Sequence, residues 1–112
     1  MGVIGGNRGA IHAALGQRIA DLNTVITPHL NVIDATRILL NNGPSGGNLD
    51  DVEVMNTLIA STDPIAADAY ATTTLFGLQP QDIESTRAGY ELGLGEIDLS
   101  KVEIVYAEAD TA

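Results

Sequence analysis

Three aspartates and one glycine-rich loop are the residues of this chain best suited to chemistry. Asp34 closes the apolar run Leu30-Asn31-Val32-Ile33. A carboxylate placed there needs a cation, a metal ion or a cleft to offset its desolvation. Asp63 follows Ser61-Thr62 and precedes Pro64, and Asp68 lies one helical turn further on. Between Asp34 and Asp63 runs Asn41-Asn42-Gly43-Pro44-Ser45-Gly46-Gly47-Asn48, whose glycines let a ligand approach the main chain. Oxygen donors such as Asp34 and Asp63 suit a hard divalent cation such as Mg²⁺. Asn42, Gly43, Ser45, Gly46 and Gly47, together with a helix starting at Asp63, offer N–H groups to a bound anion. The expected site is therefore Asp34, Asn42, Gly43, Ser45, Gly46, Gly47, Asp63 and Asp68. Asp34 and Asp63 are its candidate metal ligands, supported by Arg18, Arg37 and His12.

Each of these residues also has a purely structural reading. Asp63 before Pro64 is a strong helix N-cap. Asp34 can form a buried pair with Arg18 or Arg37, and Asp68 can sit in solvent near a helix start. The glycine loop can be a tight turn. His12 lies at the border of an apolar stripe, and His29 follows Pro28 without ligand spacing to it. Ser45 and Ser61 have no identifiable base. The loop lacks the Lys-Ser/Thr ending of a nucleotide P-loop, and it does not lead from a strand into a helix as a dinucleotide fingerprint does.

The elements that must position these residues follow from periodicity. Ile11, Leu15, Ile19, Leu22 and Ile26 fall on one helical face, with Arg18 near its centre, and Thr27-Pro28 stops that helix. Residues 30–34 and 57–61 read as short strands. Residues 38–40 fit either a turn of helix or a strand. A helix over 65–76 ends at Gly77, a natural C′ residue. Another helix covers about 81–92, closed by Gly93 and Gly95. Residues 101–106 alternate and read as a last strand. Strands interleaved with helices predict an α/β fold: a small, mainly parallel or mixed sheet of about three to four strands packed with three helices. In such a sheet Asp34 and Asp63 would share the rim at the carboxyl ends of the strands.

The 112 residues suit one α/β domain. Hydrophobic residues make up 45%, enough for a core, and aromatics only 4%, so that core must be aliphatic. The net charge of −10 repels phosphate backbones and argues against nucleic acid as a partner. The chain has no cysteine, which excludes thiolate metal sites, cysteine nucleophiles and a cysteine-ligated cluster within it. No apolar run is long enough to span a bilayer, and no signal peptide precedes Gly5-Gly6-Asn7. As it stands the chain reads as cytoplasmic. A small sheet with two edges predicts a homo-oligomer.

The blocks Asn41-Asn42-Gly43-Pro44-Ser45-Gly46-Gly47, Ile59-Ala60-Ser61-Thr62-Asp63-Pro64-Ile65-Ala66-Ala67-Asp68-Ala69-Tyr70 and Gly93-Leu94-Gly95 resemble the family called domain of unknown function 362. Val32-Ile33-Asp34-Ala35 and Arg8-Gly9-Ala10-Ile11-His12 are similar to its preceding blocks. The resemblance implies that the chain is the C-terminal portion of a longer domain, and that Asp34, the glycine loop, Asp63 and Asp68 form one functional region. It also implies a link to iron–sulfur redox proteins, and export if a parent protein carried a twin-arginine signal. Two functions follow as expectations. One is a metal- or anion-binding part of an enzyme of unknown reaction. The other is a non-catalytic accessory or scaffold module for an iron–sulfur redox partner, using its sheet edge for assembly.

Overall fold

The structure is a computed structural model and describes residues 14–40 and 49–109. Helix α1 spans Leu15–Val25, strand β1 Asn31–Leu39, strand β2 Val52–Ser61, helix α2 Pro64–Phe76 and helix α3 Glu84–Glu91. Short 3-10 turns occupy Leu49–Asp51, Pro80–Asp82 and Leu99–Lys101.

The expected sheet is corrected. Among the described residues it has two strands, β1 and β2, and they are antiparallel. The three helices are as expected, but a mainly parallel sheet of three to four strands is not formed. The cause lies in the connection. A parallel pair needs a crossover of a dozen or more residues, usually a helix, while antiparallel neighbours need only a loop. The stretch between these strands reads as loop, so the pair closes as a hairpin. The strand expected at 101–106 is also absent: a 3-10 turn ends at Lys101, and residues 102–109 carry no regular structure.

The hairpin has two unlike faces. Ile33 opposite Ile59 and Ala35 opposite Thr57 point to the core, where Ala35, Ile38, Ile59, Ala67 and Leu75 are buried together. Helix α2 therefore covers this inner face, and its alanines allow close approach. The outer face carries Val32 opposite Ala60, Asp34 opposite Leu58, and Arg37 opposite Val54. Between the last two pairs, Thr36 faces both Met55 and Asn56. This is a bulge, and Asn56 takes the extra turn in a left-handed conformation (φ 47°) that asparagine tolerates. Residues 38 and 39, ambiguous between helix and strand in the sequence, continue β1 beyond the bulge.

Helix α2 starts and stops where its sequence dictates. Asp63 caps it, Pro64 occupies the first turn, and Gly77 (φ 65°) ends it, with the Gly77 amide donating to the Thr73 carbonyl and the Leu78 amide to that of Thr72. Helix α3 packs on α1, and close approach at Gly89 admits the Ile65 side chain of α2.

Candidate functional site

The Asp63 carboxylate accepts three backbone hydrogen bonds. Its Oδ1 accepts from the amides of Ile65 at 3.0 Å and Ala66 at 2.9 Å. Its Oδ2 accepts from the Glu96 amide at 3.0 Å, thirty-three positions along the chain. Its own amide donates to Ser61 Oγ at 3.0 Å. One residue thus joins the end of β2, through its amide, to the start of α2 and the segment after α3, through its carboxylate. The backbone at Gly95 passes so close that a Cβ there would overlap the Asp63 carboxylate. Gly95→Ala is expected to lower stability by about 1–3 kcal/mol, as overpacking does. Urea unfolding checks this through a lower midpoint, and a midpoint unchanged from the parent would contradict it.

Asp34 is neither buried nor at a strand end. It sits in the middle of β1 on the outer face, opposite Leu58. Its Oδ1 accepts from Thr36 Oγ1 at 2.6 Å and from the Thr36 amide at 3.0 Å. These bonds, the hydroxyl first, hold its carboxyl below the usual carboxylate range. The expected buried pair with Arg18 or Arg37 is not formed. Arg18 is exposed on α1, Arg37 is exposed beside Val54, and the only hydrogen bonds described for Asp34 come from Thr36. The antiparallel register also removes the common rim: Asp34 lies on the uncovered face, and Asp63 is held at the start of the helix packed on the other.

Asp68 keeps solvent contact on the flank of α2, yet the surrounding protein displaces enough water to raise its pKa. A folded pKa above the unfolded one means that the folded state favours the protonated acid. That contribution is complete at acid pH and is lost as pH rises between the two values. Asp68→Asn is therefore expected to melt above the parent at neutral pH and level with it near about pH 3. Thermal melts at both pH values check this, and a lower neutral-pH melting temperature for the variant would contradict it. His12, Asn42, Gly43, Ser45, Gly46 and Gly47 lie outside the described residues. Among the described residues no group of three or more histidines and carboxylates is placed to hold a metal ion.

The sequence did not point to a cleft of about 960 Å³ beside β2. Residues 56–61 form one wall, Ala66, Ala67, Tyr70 and Thr74 of α2 the floor, and residues 102–109 the far wall. The Tyr70 and Tyr106 rings lie 6.5 Å apart at a tilt of 57°. A hydrogen bond to Tyr70 raises the Tyr106 pKa. The alternation of Val102, Ile104 and Tyr106 was the available signal, read as a strand rather than as a cleft wall.

The family model for the domain of unknown function DUF362 matches residues 1–73. The chain belongs to the DUF362 family. The match takes in β1, β2 and most of α2, including Asp34, the glycine loop, Asp63 and Asp68. Gly93-Leu94-Gly95 lies beyond it, although Gly95 is where the DUF362 chain closes over Asp63. No curated protein and no solved structure matches this DUF362 chain. None of its described helices is long and apolar enough to cross a membrane.

Proposed function

We propose that this DUF362 chain is a non-catalytic assembly module whose hairpin docks through its outer face onto a second copy of itself. The observation that carries the reading is the uncovered apolar side of the hairpin. Val32 is 61% exposed, Val54 58% and Leu58 70%; Val32 and Leu58 are diagonal neighbours across the two strands, and Val54 lies beyond the bulge on the same strand as Leu58. A two-stranded hairpin is marginal unless its faces are covered, and α2 covers only one of them. Adjoining exposed apolar residues with a polar rim mark interaction surfaces.

Charge selects the second copy as occupant. Asp34 and Arg37 stand on the same face, three positions apart, and they make no ion pair with each other. Two-fold symmetry brings residue i against j and j against i, so one face supplies both halves of two ion pairs. That local match offsets the repulsion expected from a net charge of −10. The competing reading, a hard cation held by Asp34 and Asp63, is tested by Mg²⁺ titration. A saturable rise in melting temperature, lost in Asp34→Asn, would favour it. Sedimentation equilibrium tests the assembly reading itself: a mass of twice 11.7 kDa is expected, and 11.7 kDa at every concentration would overturn it.

A further inference from the structure

We infer that the cleft between β2 and residues 102–109 is a slot for one extended, basic polypeptide strand. This site is argued from the main chain along the free edge of β2, not from the outer-face side chains, although Leu58 and Ala60 border both.

The inference starts from backbone groups. Strand β2 pairs with β1 along one edge only, among the described residues. Every second residue along the other edge directs its N–H and C=O into the cleft. The far wall, residues 103–109, makes no backbone–backbone hydrogen bond among the described residues. A free strand edge and a run of main chain without backbone partners, among the described residues, thus face each other across a cleft of about 960 Å³. Neither wall has closed on the other. The Tyr106 contact with Tyr70 ties the far wall to the floor and holds it off β2. An added strand satisfies backbone groups on the wall it pairs with, which is the mode of binding by strand addition.

Charge decides the kind of strand. Glu103 and Glu108 stand on the far wall, and among the described residues no lysine or arginine lines the cleft. Val102 and Ile104 supply apolar contact beside these carboxylates. A strand alternating small apolar residues with lysine fits this lining, whereas an acidic strand meets like charge.

Three synthetic nonapeptides test the inference by fluorescence anisotropy with the full chain. One alternates valine with lysine, the second has glutamate for lysine, and the third is the lysine peptide N-methylated at alternate residues. The lysine peptide is expected to bind at least about tenfold more tightly than the glutamate peptide. The N-methylated peptide is expected not to bind, because it lacks the donors a ladder needs. The double variant Glu103→Lys/Glu108→Lys should reverse the preference between the first two. Amide exchange supplies an independent measurement. The amides of residues 57–61 that point away from β1, and those of residues 103–108, are expected to exchange rapidly alone, with those of the pairing wall slowed by the lysine peptide. Equal binding of the acidic and basic peptides would overturn the inference. So would undiminished binding of the N-methylated peptide, no binding of any peptide, or slow exchange on both walls before peptide is added.

Discussion

Asp63→Ala is expected to remove about 1.5–5 kcal/mol of folding stability, read as a fall in the urea midpoint at an unchanged slope. Two losses add. Removing an N-cap acceptor costs about 0.5–2 kcal/mol, here from the amides of Ile65 and Ala66. Leaving the Glu96 amide without its acceptor costs about 1–3 kcal/mol more where the site is shielded from water. Asp63→Asn separates the two. Asparagine keeps one oxygen for the helix amides but turns an NH₂ towards the Glu96 amide, so it should lose about half as much. The pair of variants also bears on the metal reading. A carboxylate kept for a cation at some cost to stability would give an Asn variant as stable as the parent or more so.

Leu58→Lys is expected to weaken self-association at least about thirtyfold, the equivalent of about 2 kcal/mol for a central interface residue. Leu58 is the most exposed of the large apolar residues within the two strands, and it faces Asp34 across the hairpin. A lysine there places a solvated ammonium where the partner must exclude water. A drop of this kind alone would not identify the partner as a second copy. Asp34→Arg and Arg37→Asp do that, because each sets like charges against each other across a two-fold axis. Each is expected to weaken the dimer about tenfold, and the double variant Asp34→Arg/Arg37→Asp should recover most of the loss. Sedimentation velocity across a concentration series reads all four. Full additivity of the two charge changes, with no recovery, would exclude the isologous contact.

Much of α2 was legible in the sequence because its signals are local. Asp63, Pro64 and Gly77 each act through the backbone within a few residues, and the helix begins and ends at them. The sheet was less legible. Residues 30–34 and 57–61 do fall within or beside the strands, but strand content carries no direction. The decisive signal is that the sequence between them reads as loop, whereas the helix–strand alternation elsewhere favours a parallel sheet. In the sequence, the charge that interrupts the apolar run marks Asp34 as a strand end. In the fold, Thr36 satisfies that carboxylate locally and the ladder runs on through the bulge at Asn56 to Leu39. At 101–106 the alternation is genuine, yet the pairing that would make it a strand is not formed among the described residues, because the segment stands across the cleft from β2. The Asp63–Glu96 contact was beyond reach, since nothing local ties two residues so far apart. Asp63 was readable as a cap, but its second partner and the reason for Gly95 were not.

The docking of one outer face on another is tested most directly by a single cysteine at the bulge. The chain has no cysteine of its own, so Thr36→Cys introduces one thiol, exposed between Asp34 and Arg37. In a two-fold contact centred on these residues, the two thiols lie close to the axis and within reach of each other. Mild oxidation is expected to give a disulfide dimer rapidly at micromolar protein, and Leu58→Lys in the same background should suppress it. A chain that stays monomeric under oxidant, or that cross-links equally fast with Leu58→Lys present, would contradict the account.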